Sequence, residues 1–370
     1  MRKLLMTAST QSHICHFHLP YLQWFQTHGW QVHVACGAVS QPCPFCDRLI
    51  SLPLVKNMWS PRNFLATHQL RRLIRQEQYD LVITHTALAS FFTRLAVWGL
   101  RKRPKVVNVV HGYLFDQNTA VHKRWLLTAA ERMTVRQTDL LLTMNRWDHA
   151  FALRNHLCSS IQNIPGIGVD LDRFSTEHSA AALRLRDSHR IPKGALLLLY
   201  AAEFSPRKSQ NTLIRAMEML PAQVHLVLAG SGGMLEEMKQ LAEQLGVSER
   251  VHFPGYVNQM ADWYCAADVV VSASRSEGLP FNIMEAMAMK RPIVATAVKG
   301  HEDLLVHGET GLLFPFGDAA ACASGIMYLM DHPDKARSMG AAAGEAVRQY
   351  DLRLVLPQVT AAYLQVLEEI

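Results

Sequence analysis

The 370-residue chain has no apolar run of the roughly 18 residues that a membrane-spanning helix needs, and its longest candidate, Gly194 to Ala202, is about half that. Any membrane contact is therefore expected to be peripheral. The opening Met1-Arg2-Lys3-Leu4-Leu5-Met6 is basic and briefly apolar, but the polar stretch Ser9-Thr10-Gln11-Ser12 ends the run before a signal-peptide core is complete. It reads as a first strand. Long Gly and Pro tracts are missing too, and with 49% hydrophobic against 18% charged residues neither disorder nor a fibre is indicated. Cysteines are few and odd in number, seven at positions 15, 36, 43, 46, 158, 265 and 322, which excludes a fully paired disulfide framework and fits a reducing cytosol. Cys43-Pro-Phe-Cys46 has redox or zinc spacing, yet no second pair completes a four-ligand site. No Gly-Lys-Ser/Thr phosphate loop is present, and Gly230-Ser231-Gly232-Gly233 lacks the full Gly-x-Gly-x-x-Gly spacing, so kinase and hydride-transfer chemistry lose support.

What is present is a basic balance. A net charge of +6 and a pI near 9.0 leave nucleotide phosphates, an acidic membrane surface and nucleic acid all open as partners. The basic residues gather in the first half, at Arg71, Arg72 and Arg75 and at Arg101, Lys102, Arg103 and Lys105. Such clusters read either as solvated faces or as a patch for an anionic membrane.

Short Leu- and Val-rich runs alternate with longer amphipathic stretches, the pattern of parallel strands covered by helices on both faces, so the fold class is α/β. Strands are predicted near Lys3–Thr7, Gln31–Ala35, Leu81–Thr84, Val106–Val110 and Leu140–Thr143. The rhythm restarts at Ala195–Tyr200, followed by Val224–Ala229, Val251–Phe253, Val269–Ser272 and Pro292–Ala295. Two Rossmann-like domains result, 1–170 and 193–350, with a Pro/Gly-punctuated linker at 171–192. Residues 351–370 read as an amphipathic helix with its stripe at Leu352, Val355, Val359, Ala362 and Val366, and Pro357 either kinks it or marks its start.

Ligands of doubly wound sheets bind beyond the carboxyl ends of strands, which directs attention to Ser9–His13, His111-Gly112 and Ser274–Glu285. In the last, Gly278 permits close backbone approach and Pro280 suits a helix start. Amides around Leu279, Phe281 and Asn282 can then meet phosphate oxygens at the positive helix end. Glu285, one turn on, can accept hydrogen bonds from sugar hydroxyls, although Glu277 and Glu285 also read as ordinary acids favoured by a helix dipole. A glycosidase would need its two carboxylates roughly 5–10 Å apart. Eight helical residues would part Glu277 and Glu285 by about 12 Å.

Glu277-Gly-Leu-Pro-Phe-Asn-Ile-Met-Glu285-Ala resembles the donor-binding signature of glycosyltransferase family 4, and the Ser12–Pro20 opening with the His111-Gly112 step resembles its capsular and exopolysaccharide branch. The resemblance runs along the chain through Ser12-His13…Phe17-His18-Leu19-Pro20, Thr84-His85-Thr86, Val110-His111-Gly112, Gly168-Val169-Asp170…Arg173-Phe174, Ala229-Gly230-Ser231-Gly232 and Gly308-Glu309-Thr310-Gly311. It implies a GT-B fold, two Rossmann-like domains facing each other across a cleft, with the C-terminal helix crossing back to the first. It also implies a nucleoside-diphosphate-sugar donor, a UDP-sugar foremost, and retention of anomeric configuration without a metal or other cofactor. The expected product is a hexosyl or N-acetylhexosaminyl unit on a glycan or lipid-linked glycan, with no nucleic-acid partner. The expected location is cytoplasmic, at the inner membrane face.

By the same resemblance Glu277 contacts donor-sugar hydroxyls, the Gly278, Leu279, Pro280 and Phe281 backbone meets the diphosphate, Glu285 the ribose, and His111 lies over the transferred sugar. Lys208 is the cation for the leaving diphosphate; Gly230 and Tyr256 belong to the donor site, and His85 is the acceptor-side candidate or a structural histidine. Two departures stand out. Glu203 occupies the place of the family's arginine, with Arg207 as the candidate replacement, and Ser12-His13 replace the usual glycines. They keep a non-catalytic sugar-nucleotide binder as a rival, beside an epimerase of the same architecture that would need groups to remove a sugar proton. Asp170-Leu171-Asp172 has a metal-binding spacing but falls in the interdomain segment, which argues against a metal there.

Overall fold

Strands flanked on both faces by helices must be apolar on both sides, and the two central runs Leu81–His85 and Val224–Ala229 are buried at every position. The computed structural model describes residues 1–55, 57–174 and 179–368. The chain forms two units, Met1–Gly168 with the stretch from Arg353 onward, and Val169–Leu352.

The first unit is built on β1 (Lys3–Ala8), β2 (Gln31–Cys36), β3 (Arg48–Ser51), β4 (Leu81–His85), β5 (Lys105–Val110), β6 (Leu140–Thr143) and β7 (Ile161–Asn163). These pair in parallel in the order β3-β2-β1-β4-β5-β6-β7. The second unit holds β8 (Leu196–Ala201), β9 (Val224–Ala229), β10 (Val251–Gly255), β11 (Val269–Ser272), β12 (Ile293–Thr296) and β13 (Leu312–Phe314), parallel in the order β10-β9-β8-β11-β12-β13. The three strands not foreseen, β3, β7 and β13, are all sheet edges. An edge is short and only partly covered, so it carries no long apolar run.

Helix Pro61–Glu77 shows how the layers close. Ser60 Oγ accepts from the Arg62 amide at 3.3 Å, Pro61 opens the first turn, and Ala66, Leu70, Leu73 and Ile74 bury their stripe in a core with Leu5, Val82 and Val106. Between helices of the same unit Arg94, 1% exposed, pairs with Glu131 at 2.9 Å and donates from Nε to the Ser90 carbonyl. The terminal helix, Leu352–Glu368, places Val355, Val359, Ala362, Tyr363 and Val366 in the first unit's core, with Tyr363 against Tyr21 and Phe25. Each of the valine burials is worth about 1.5–3 kcal/mol. Pro357 lies inside this helix on its exposed side rather than at its start.

Residues 171–192 differ from the expected linker. They hold a short turn at Leu171–Arg173 and a helix, Ser179–Ser188, within the second unit. Arg186 fastens the helix, donating to the carbonyls of Ala195 and Ala266 and pairing with Asp268 at 2.6 Å. A long arginine satisfying two carbonyls and a carboxylate makes a packed element from a polar sequence. Residues 175–178 of that stretch, and 369–370 of the terminal helix, lie outside the described residues.

Candidate active-site residues at two sheet switch points

Each sheet reverses its strand order once, between β1 and β4 in the first unit and between β8 and β11 in the second. Loops leaving adjacent strands in opposite directions open a crevice there, the usual ligand position of doubly wound sheets. Most of the expected site residues fall at these two points.

In the second unit the loop after β8 carries Glu203, Arg207 and Lys208, and the loop after β11 carries Ser274 to Pro280 into helix Phe281–Ala288. Glu277 ties them together. Its Oε1 lies 2.5 Å from Lys208 Nζ and its Oε2 2.8 Å from Arg207 Nη1, which also donates to the Ser276 carbonyl at 3.0 Å. Burial works to raise the Glu277 carboxyl, but the Lys208 and Arg207 charges prevail and hold it well below the usual carboxylate range. Burial lowers the Lys208 ammonium against the opposing pull of Glu277. Two cations and one carboxylate leave one positive charge in excess beside a helix start, an anion seat by charge and by dipole. Gly278, Leu279, Pro280 and Phe281 form the step from strand to helix that the sequence suggested.

The surroundings explain why these loops stay in register. Tyr200 donates to the Lys208 carbonyl at 3.1 Å and shares a 2.7 Å hydrogen bond with Ser274, joining the two loops from beneath. Thr296 Oγ1 donates to the Ser274 carbonyl at 2.6 Å, and the fully buried His301 lies between Ser272 and Thr296. Gly300 has φ +85°, and a Cβ there would stand 2.8 Å from both Glu277 Cβ and the Gly278 carbonyl oxygen. Only glycine lets that loop lie against Glu277.

Glu285, on the helix, accepts from the Tyr264 hydroxyl at 2.8 Å, and burial pushes its carboxyl up to about 7 despite that bond. Glu203 is exposed, and its charge is felt by Arg207 and Lys208, so the departure from the family pattern does add negative charge near the seat. Gly230 has φ +150°, and a Cβ would fall 2.0 Å from the Ala202 carbonyl oxygen, so it lets the loops after β8 and β9 touch. Tyr256 follows the edge strand β10, away from the crossing, and is 61% exposed.

In the first unit the crevice is lined by histidines. His13 comes from helix Gln11–Phe17, His18 follows that helix, His85 ends β4, and His111 follows β5. His85 Nδ1 and His111 Nε2 are 3.0 Å apart, His18 and His13 Nε2 are 3.3 Å apart, and the His18 and His85 rings stack at 3.8 Å. Burial, with mutual repulsion, keeps His18, His85 and His111 well below the ordinary imidazole value, and burial lowers His13 to about 4. All four are neutral at pH 7. Ser12 is exposed, its hydroxyl 3.1 Å from Thr10 Oγ1. His18, Tyr264, Tyr200 and Gly300 were not among the expected site residues; His18 alone stood in a quoted motif.

The basic clusters are partly spent on the fold. Arg103 forks onto Asp139 at 2.7 and 2.8 Å, and Arg71 donates to the carbonyls of Ala96 and Trp98. Arg72, Arg75, Arg101 and Lys102 are exposed. No helix among the described residues is long and apolar enough to cross a membrane.

Two doubly wound parallel halves, the second with a cationic seat at its switch point, make up a glycosyltransferase of the GT-B type. Residues 21–173 match the family model "Glycosyltransferase Family 4" and residues 183–346 match "Glycosyl transferases group 1". A Bacillus subtilis protein that bears the name glycosyltransferase EpsD is 35% identical over 345 residues, 92% of this chain and 90% of its own. Sucrose-phosphate synthase from Thermosynechococcus elongatus superposes with a TM-score of 0.84 at 22% identity over all of both chains. Anabaena HepE in complex with UDP-glucose does so with 0.78 at 18%, covering 99% of this chain and 100% of its own. The chain belongs to the family 4 glycosyltransferases.

Proposed function

We propose that the protein is a retaining transferase that takes a hexosyl or N-acetylhexosaminyl unit from a UDP-sugar and passes it to a glycan or lipid-linked glycan in surface polysaccharide synthesis. The observation that carries the donor half is the buried Glu277 held between Arg207 and Lys208 at the start of helix Phe281–Ala288. As the bond between the sugar and the diphosphate breaks, negative charge grows on the departing oxygen, and fixed cations and amides there stabilise that change without reorganising. Lys208 and Arg207 supply the charge that a metal would otherwise supply, so transfer proceeds without one. Glu277 orients both cations and faces the sugar hydroxyls, and Glu285 takes the ribose hydroxyls. His111 is the first unit's contribution to transfer. UDP is favoured because the structural neighbour HepE was solved with UDP-glucose; the surface-polysaccharide role rests on the resemblance of Ser12–Pro20 and His111-Gly112.

The test is a thermal-shift screen of UDP, GDP, ADP and their sugar conjugates on wild type and Glu285→Ala. A ligand at 100 times its Kd stabilises the folded state by about 2.7 kcal/mol, so the matching nucleotide should raise Tm clearly and the variant should lose the rise. A wild type indifferent to every nucleotide would refute the donor site. Peripheral attachment at the inner membrane face, through Arg101 and Lys102 with Arg72 and Arg75, predicts salt-sensitive binding to anionic vesicles that neutralising these residues weakens. Binding that salt leaves unchanged, or none, would remove that part.

A further inference from the structure

Buried histidines in a purely structural role are normally tied by hydrogen bonds to the scaffold around them. The four at the first unit's switch point are not. Among the described residues every side-chain hydrogen bond they make goes to another of the four, His13 with His18 and His85 with His111, while His18 Nδ1 and His85 Nε2 are buried with no partner there. One ring nitrogen from each lies within 4.8 Å of the other three.

We propose that His13, His18, His85 and His111 form a binding site for one divalent transition-metal ion of the zinc class. A four-coordinate ion with nitrogens at about 2.0–2.1 Å holds them about 3.3–3.4 Å from one another. The 3.3 Å and 3.0 Å pairs already have nearly that spacing. Even the widest permitted pair, at 4.8 Å, would close by only about 1.5 Å to reach it. The donor set also selects the ion: four imidazoles and no carboxylate suit zinc, cobalt, nickel or copper and reject magnesium and calcium, which need oxygen ligands. One ligand, His85, ends β4 and another, His111, directly follows the adjacent β5, which fixes half the site rigidly. This site goes beyond the transfer reading but shares His111 with it, and metal binding, measured without donor or acceptor, tests it apart from that reading.

The experiment titrates the metal-stripped whole chain with Co2+ and follows the visible bands of the four-coordinate ion. Saturation at one equivalent, displacement by Zn2+ and indifference to Mg2+ are expected. His13→Gln, on helix Gln11–Phe17 and only partly buried, and His111→Gln should each weaken binding by more than the roughly 10–100-fold that losing an outer partner costs. Circular dichroism confirms their fold. Should His111→Gln unfold, the same loss in His13→Gln suffices. Cys43→Ser/Cys46→Ser should bind as wild type does. Absence of stoichiometric binding, binding that survives His13→Gln with its bands unchanged, or binding lost in the cysteine variant would overturn the site.

Discussion

The same topology produces two crevices of opposite chemistry. At β8 and β11 the second unit buries a carboxylate between two cations, and the opposite charges offset one another's desolvation. At β1 and β4 the first unit buries imidazoles with no counter-charge among them, and burial strips their protons. A switch point therefore supplies a place, while the charge of the residues that arrive there decides whether it holds an anion or offers lone pairs.

The largest expected effect tests the charged half. Lys208→Met and Glu277→Gln should each lower kcat by about 10²–10³-fold, the usual cost of removing a preorganised transition-state group, with the fold intact by circular dichroism. Arg207, half-exposed, should matter less. Turnover unaffected by Lys208→Met would dissolve the contrast.

Next comes stability. Glu131→Gln strips the counter-charge from the buried Arg94 and should cost about 3 kcal/mol, read as a lower denaturation midpoint at unchanged slope. A neutral result would show that pairing is not what keeps buried charge tolerable in the first unit. Gly300→Ala forces a Cβ onto Glu277 and an L-residue to φ +85°, and should cost about 1–3 kcal/mol while weakening nucleotide binding.

The most gradual effect is in pH. His13 titrates near 6.5 unfolded and about 4 folded, so its contribution is whole above 6.5 and is lost as pH falls toward 4, at no more than about 1.4 kcal/mol per pH unit for each such histidine. Glu285 runs the other way, its folded value raised from 4.5 to about 7: its contribution is whole below 4.5 and is lost as pH rises through 7. Protection from hydrogen exchange should thus drop in the first unit between pH 6.5 and 5, and Glu285→Gln should flatten the alkaline side of the second unit's profile. Equal acid losses in both units would remove the distinction.

Much of the architecture was legible because parallel strands covered on both faces leave short, largely apolar runs, as Leu81–Ile83 and Leu226–Ala229 do. The edges β3, β7 and β13 were not, since partial cover demands no such run. The linker reading failed for a related reason: the stretch is polar, and only Arg186 reaching the Ala195 and Ala266 carbonyls shows that it is packed.

The sequence by itself determined the α/β class, the positions of the central strands, the family signature from Glu277 to Glu285, and thereby the family. Those properties are local, written in runs and spacings of neighbouring residues. Tertiary structure alone decided that Arg207 and Lys208 close on a carboxylate some 70 residues away, that Tyr264 holds Glu285, and that His13, His18, His85 and His111 converge. Such contacts depend on strand order, and a parallel sheet makes neighbours of segments whose separation along the chain carries no local mark.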